Sequence, residues 1–346
     1  MLQAVDVIHA LPEGSARRAR KANQLREMLA AIEIGSRSIR MIAADVGPEG
    51  VTVRRHASSQ LNLMSALEGD EFDTLSENVA RRVSRLKRRA FSLPSDRIRV
   101  FGTEALRRLV DAGLPPKKLG AEVLSAEMEA RFAYHGVMSA LGADRICLPH
   151  TVIDQGNGSL EIAMSDGTPG GSLEVVSLPL GAHEVASSFA QFARQAGLFE
   201  KWLSDRISGL PRPLGNCAEV HILGGTAVRL GWIVARSKGA RAFDPRCVEG
   251  MRLTVSALRQ MAAAVLASSE AEQARFTCEV SPSGARRCDL WSTVANTLAL
   301  CRLLEALGEE TFTIRTTGVR FGILMDSYRR RRGCRVPHTI ADKNSH

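Results

Sequence analysis

Residues 151–164 combine a carboxylate with a glycine-rich turn, a pattern typical of phosphate chemistry. The sequence TVIDQGNGSLEIAM runs from an apolar segment into Asp154, through the turn Gly156–Ser159, and into a second apolar segment that contains Glu161. Glycine lets the backbone approach a ligand closely, and the N–H groups of such a turn form an anion-binding concavity. A carboxylate beside a bound anion needs a cation between them, and Mg²⁺ binds carboxylate, water and phosphate oxygens together. Taken alone, the stretch fits an ordinary β-hairpin better than a metal-assisted phosphate site, but two further observations favour the phosphate site.

A second copy of this pattern lies in residues 30–46. The sequence AAIEIGSRSIRMIAADV places Glu33 and the turn Gly35–Ser38 where the later stretch has Asp154 and Gly156–Ser159, without a gap. Two copies of one acid-turn-strand unit indicate a duplicated domain. Glu33 joins Asp154 and Glu161 as a predicted metal ligand.

A third glycine turn, Gly224–Thr226, follows the apolar run 220–223 and opens a helical segment. Two strand-turn-strand loops with one strand-turn-helix loop are the layout of actin-like, ribonuclease-H-like phosphotransferases. The phosphate-binding positions predicted from the three turns are Gly35, Ser36, Arg37, Ser38, Gly156, Asn157, Gly158, Ser159, Gly224, Gly225 and Thr226.

The elements that must position these residues alternate between strands and helices. Predicted strands lie at about 29–35, 38–46, 50–58, 96–101, 220–223 and 311–315, besides the hairpin 151–164. Predicted helices begin at Asp73 and lie at about 126–141, 183–208, 226–237, 253–267, 286–305 and 318–331. The helix from Asp73 has one basic face, which suits either a polyanion or plain solvent. Thr103 is the predicted N-cap of a further helix.

The bulk properties fit a cytoplasmic protein with two folded domains. The 346 residues suffice for two hydrophobic cores, and no apolar run approaches the roughly 20 residues of a membrane span. The N-terminus lacks the apolar core of a signal peptide. Seven scattered cysteines without a CxxC pair indicate neither a disulfide framework nor a zinc site. The net charge of +9 suits polyanions, but aromatic content of 5% gives no stacking pattern, so no specific nucleic acid is expected.

Six short motifs, taken in order, resemble the exopolyphosphatase / guanosine pentaphosphate phosphohydrolase (Ppx/GppA) family. They are Glu33 to Ser38, Thr103 to Arg107, Glu127 to Arg131, Asp154 to Glu161, Gly224 to Thr226 and Gly318 to Gly322. The resemblance implies an α/β fold of two actin-like (ribonuclease-H-like) domains with a cleft between them. The expected division is a basic arm at 1–27, domain I at 28–142 plus 322–334, domain II at 143–321 and a tail at 335–346. Residues 142–144 form the expected hinge, and the additional helical domain of longer relatives is not expected.

The resemblance also implies roles for side chains in the cleft. Glu129 stands where the family has its catalytic base, and Arg107 where it has a phosphate-contacting arginine. Phosphoanhydride hydrolysis needs a base that orients an in-line water and cations on the transferring group. The expected catalytic set is therefore Glu129, Asp154 and Glu161. The expected reaction is Mg²⁺-dependent removal of terminal phosphate from inorganic polyphosphate. The alternative substrate is a guanosine polyphosphate (pppGpp). A homodimer is one assembly to test.

Four residues depart from the family pattern. Glu33 replaces the first Asp, Arg37 stands where Asn is common, Asn157 replaces a glycine and Leu160 replaces Thr. They motivate a further alternative, a catalytically weak member that binds polyphosphate or an alarmone and regulates a partner. An actin-like ATPase or sugar kinase is a fourth alternative.

Overall fold

The computed structural model describes residues 25–61, 63, 72–113, 119–141, 146–168, 171–192, 197–210, 219–240, 244, 247–273 and 287–333. The strands are β1 (Glu27–Ile34), β2 (Ser38–Gly47), β3 (Gly50–Gln60), β4 (Ile98–Gly102), β5 (Glu122–Val123), β6 (His150–Gln155), β7 (Leu160–Ser165), β8 (Leu173–Leu178), β9 (Glu219–Gly224), β10 (Arg252–Thr254) and β11 (Thr311–Ile314). The helices are α1 (Phe72–Arg89), α2 (Glu104–Asp111), α3 (Ala126–Met138), α4 (Ala182–Phe192), α5 (Leu198–Ile207), α6 (Gly225–Ser237), α7 (Val255–Ala267), α8 (Arg287–Ala306) and α9 (Val319–Arg331).

These strands form two mixed sheets with the same topology. The first sheet has the order β3-β2-β1-β4-β5, and the second repeats it as β8-β7-β6-β9-β11, with β10 added at the edge. In each sheet, the three strands that come first in the chain pair antiparallel. The next strand in the chain, β4 or β9, pairs in parallel with β1 or β6. The α/β fold class and the internal duplication predicted from the sequence are thus confirmed.

Two helices cross between the halves and join them. Helix α3 follows the first sheet but packs on β6, β7 and β8, while α9 follows the second sheet and packs on α3, β1 and β2. Glycines permit this close crossing, because a Cβ on Gly136 would clash with the Gly318 carbonyl, and one on Gly322 with the Phe132 carbonyl. The final helix therefore returns to the first half, as predicted. The division into domains at the predicted boundaries remains a prediction.

Two local predictions need correction, and a third, the N-cap at Thr103, is confirmed in position. The helix predicted over 183–208 is two helices, because the chain turns at Gly197 with φ 87°. The helix predicted from 253 begins at 255, since residues 252–254 pair with β11 instead. Thr103 is the N-cap residue of α2, but its side chain makes no capping hydrogen bond.

Hydrophobic cores lie on the faces of both sheets. Helix α1 buries Leu75, Val79, Val83 and Leu86 against the first sheet, so the helix from Asp73 is confirmed. Within the described residues, no helix combines the length and the apolar character needed to cross a bilayer. The predicted arm (except 25–27), the hinge 142–144 and the tail 335–346 lie outside the described residues.

Candidate active site

Strand register brings the predicted turns to the same edges of the two sheets. In the first sheet, the parallel pair Ile34 and Gly102 places the first loop, Gly35–Ser38, beside the start of α2. In the second sheet, the parallel pair Gln155 and Gly224 places the second loop, Gly156–Ser159, beside the third turn, Gly224–Thr226. Parallel strands end at a common edge, so each half presents its turns on one side.

The second loop is held from behind by the N-terminus of α4. The N–H groups of Ala182 and His183 donate to the carbonyls of Gly156 and Asn157, each at 2.9 Å. A Cβ on Gly181 would clash with the backbone of this loop, so only glycine permits the contact. The positive end of the helix dipole thus lies behind the loop, which favours an anion in front of it.

A buried amide pair fixes the strand end that leads into the second loop. The Nε2 of Gln155 donates to Asn296 Oδ1 at 2.7 Å and to the Leu180 carbonyl at 3.2 Å. Asn296 Nδ2 in turn donates to the Ala182 carbonyl at 3.0 Å. Helix α8 therefore locks together β6, the second loop and the start of α4, and no motif in the sequence indicated this role.

Contacts between the halves place both sets of turns in one cleft. Arg320 at the start of α9 lies 3.5 Å from the Glu33 carboxylate at the end of β1. The carboxylate of Glu104, the first residue of α2, lies against Gly158 of the second loop. The first and second loops therefore face each other across a single cleft.

Three carboxylates of the cleft, Glu129, Asp154 and Glu161, form an acid cluster. Asp154 and Glu161 are directly opposite each other on β6 and β7, and Glu129 comes from α3, which packs on these strands. Glu129 is 6% exposed and Glu161 is 1% exposed. The structure thus brings together the three residues predicted as catalytic.

Burial and neighbouring negative charges raise the pKa of every member of the acid cluster. Burial raises the pKa of Glu129 well above its usual value, and the Glu161 and Asp154 charges act in the same direction. Burial raises the pKa of Asp154 to about 6, with Glu33 adding to the effect and Arg40 and Arg320 opposing it. Burial raises the pKa of Glu161 to about 7, although hydrogen bonds from Ser159 and Ser177 partly offset this.

The predicted phosphate-binding Arg107 contacts the acid cluster directly. Its guanidinium donates to Glu129 Oε2 at 3.0 Å and to the Leu124 carbonyl at 2.6 Å through one nitrogen. The same side chain that would contact phosphate therefore also orients Glu129.

Comparison with known proteins identifies the family. The profile of the Ppx/GppA phosphatase family matches residues 72–331, most of the chain. The chain belongs to the Ppx/GppA phosphatase family. A guanosine-5'-triphosphate,3'-diphosphate pyrophosphatase from Photobacterium profundum is 31% identical over 170 residues, which are 46% of this chain and 33% of that protein. The chain thus spans about a third of the length of this relative.

Solved structures of Ppx/GppA proteins share the fold. The Aquifex aeolicus PPX-GPPA enzyme is 21% identical, with a TM-score of 0.68 over 87% of this chain and 99% of that one. An exopolyphosphatase from Cytophaga hutchinsonii is 15% identical, with a TM-score of 0.61 over 89% of this chain and 99% of that one. At these identities the likeness concerns the architecture, and it supports the two-domain actin-like fold predicted from the motifs.

In this Ppx/GppA chain, the two copies of the acid-turn-strand unit differ in charge. Arg40 is the cross-strand partner of Glu33 in the first copy, as Glu161 is of Asp154 in the second. With Arg320 also beside Glu33, the first copy is a mixed-charge site, whereas the second is acidic. Arg40 and Arg320 were missed as site residues, although the gap-free repeat aligns Arg40 with Glu161 and Arg320 lies in the last motif.

A second cluster of metal-ligand side chains lies at the other end of the second sheet. His150 Nδ1 is 3.1 Å from His221 Nε2, which is 3.5 Å from Glu219 Oε2. Arg315 Nε donates to His221 Nδ1 at 3.2 Å, so the Nε2 of this imidazole carries the proton. A histidine that binds metal through Nε2 donates from Nδ1 instead. The cluster is therefore a buried hydrogen-bond network in this structure.

Proposed function

We propose that this chain is a Mg²⁺-dependent phosphoanhydride hydrolase that removes terminal phosphate from inorganic polyphosphate. The observation that carries the proposal is the acid cluster with Arg107 in a cleft lined by the first loop, the second loop and the third turn. Family membership supports the reaction class, because the profile of the Ppx/GppA phosphatase family spans Arg107 and all three residues of the acid cluster. The departures at Arg37 and Asn157 lie in the loops and leave the acid cluster intact.

The acid cluster fits a hard divalent cation. Glu161 Oε2 is buried and has no hydrogen-bond partner among the described residues, and burial outweighs the nearby arginines in raising the pKa values of Asp154 and Glu161. Carboxylate oxygens are the ligands that Mg²⁺ prefers. Asp154 and Glu161 would hold the ion, and Glu33 would join them only by leaving Arg320. The ion would neutralise charge on the transferring phosphoryl group.

The chain's own side chains supply a base and anion-binding groups. Glu129 has a pKa raised well above its usual value by burial, and a base works best when its pKa lies near the working pH. Its carboxylate would orient a water for in-line attack while Arg107 holds it in place. The backbone N–H groups of the three turns would bind the phosphates, helped at the second loop by the dipole of α4.

The test is phosphate release from long-chain polyphosphate with and without Mg²⁺. Glu129→Ala should lower turnover by about 100-fold or more while substrate binding is kept, because a positioned base typically contributes that much. Glu127→Ala is the matched control, since this glutamate lies on the same helix with its side chain 54% exposed. Full activity of Glu129→Ala would refute the assigned role.

The alternative substrate is pppGpp, and the Photobacterium profundum relative is the observation that favours it. Parallel assays use polyphosphate and pppGpp at the same concentration of terminal phosphate groups. The kcat/KM values then distinguish the two candidate substrates. Tight binding of either compound without Mg²⁺-dependent phosphate release would instead favour a regulator, the hypothesis motivated by Glu33 and Asn157. Turnover of ATP above both would favour a kinase or ATPase.

The proposal includes a cytoplasmic location and a homodimeric assembly. The location is expected from the sequence, and the homodimer is one assembly to test. Size-exclusion chromatography with light scattering tests the dimer, and fractionation of cells tests the location.

A further inference from the structure

Glu104 is an acidic side chain that lies against the second loop, where a phosphate anion is proposed to bind. It is the first residue of α2, in the first half, yet its carboxylate contacts Gly158 of the second loop. Its side chain is 13% exposed. One carboxylate oxygen pairs with Arg108 one helical turn further on, and the other, Oε2, is buried without a hydrogen-bond partner among the described residues.

The front of the second loop is the side that Glu104 covers. The back of the loop is occupied, since Gly156 and Asn157 direct their carbonyls to α4 and Gly181 packs against the loop. A phosphate must therefore enter from the front, where the carboxylate lies. Two anions in a half-buried cleft repel each other strongly, so the carboxylate and a phosphate without a cation do not share this place.

Arg108 already holds the carboxylate through Oε1 and can stay paired with it when it leaves Gly158. The Arg108 side chain is 51% exposed, so it can follow the carboxylate outward. An outward rotation of the Glu104 side chain, with Arg108 still paired, would clear Gly158 without moving the backbone of either half. In the observed conformation the carboxylate lies so close to Gly158 that a Cβ there would clash with it.

We propose that the Glu104 carboxylate is a charged gate on the second loop, which covers Gly158 in the absence of substrate and turns outward, still paired with Arg108, when a phosphate group enters. The gate lowers the affinity of the loop for phosphate anions that arrive without a cation. It thereby makes Glu104 a determinant of specificity. This inference rests on the proposed phosphate-binding role of the second loop.

The test is calorimetric binding of inorganic tripolyphosphate to the full chain in EDTA, where no Mg²⁺ is present. Glu104→Gln removes the charge but keeps the shape, and we expect it to bind about tenfold more tightly than the wild type, or ~1.4 kcal/mol. Asp111→Asn is the matched control, because it removes one negative charge from the exposed far end of the same helix. This control should bind within about twofold of the wild type.

A second variant separates charge from bulk. The gate predicts tighter binding for both Glu104→Gln and Glu104→Ala, and the difference from the wild type should shrink in high salt. Tighter tripolyphosphate binding by Glu104→Ala but not by Glu104→Gln would overturn the charged gate, because the side chain would then block the loop only sterically. Unchanged or weaker binding in both variants would overturn the gate but leave the proposed function standing. Absence of binding in all variants in EDTA would also overturn the gate, and the Mg²⁺-dependent phosphate-release assay then decides the proposed function separately.

Discussion

Neutralising Glu161 should stabilise the metal-free protein and should also abolish the proposed phosphate-release activity. The pKa of this glutamate rises from 4.5 to about 7 on folding, and the side chain is only 1% exposed. Each unit is worth about 1.4 kcal/mol, so an ionised Glu161 costs the folded state about 3 kcal/mol at pH 8. Glu161 holds its proton more tightly in the folded state than in the unfolded state. Its contribution to the free energy of unfolding is therefore full below pH 4.5 and falls as the pH rises to about 7. Glu161→Gln removes this loss.

Urea unfolding in EDTA at pH 5 and pH 8 measures the effect. All three tryptophans, Trp202, Trp232 and Trp291, lie in the second half of the chain, so their fluorescence reports the half that contains Glu161. At pH 8 we expect Glu161→Gln to be about 3 kcal/mol more stable than the wild type, and at pH 5 within about 1 kcal/mol. Mg²⁺-dependent phosphate release should be lost at both pH values.

A matched control distinguishes this burial effect from a general loss of charge. Glu200→Gln changes an exposed glutamate of the same half, and its stability should follow the wild type at both pH values. A Glu161→Gln variant that is less stable than the wild type at pH 8 would refute the reasoning, because burial of the Glu161 charge would then not be the dominant effect.

Three further substitutions test the support of the cleft. Arg107→Ala should raise KM and also lower kcat, because the guanidinium holds Glu129 at 3.0 Å; a change in KM alone would contradict the second role. Asn296→Leu leaves the buried Gln155 amide without its 2.7 Å partner and should cost about 1–3 kcal/mol in urea unfolding. Gly181→Ala should weaken tripolyphosphate binding by displacing the second loop, whereas Gly209→Ala, where a Cβ meets open space, should leave binding unchanged.

The sequence by itself determined the local units of the site. Alternating apolar residues, glycine turns and the carboxylates at strand ends predicted both acid-turn-strand copies, because strand periodicity and the backbone freedom of glycine are local properties. The order of six motifs supplied the family and hence the proposed roles of Glu129 and Arg107. The bounds of most strands and helices followed from the same periodicity, and the errors occurred where tertiary pairing overrode it, as at residues 252–254.

Only the tertiary structure decided how charges meet across the cleft. Glu33 looked like a metal ligand in the sequence, but the return of α9 places Arg320 beside it at 3.5 Å. The raised pKa values of the acid cluster also arise from burial under crossing helices, which no short stretch encodes. The contacts of Glu104 with Gly158 and of Asn296 with Gln155 join residues far apart in the chain. Electrostatic energies depend on distance and burial between segments, and sheet register and helix crossing set both.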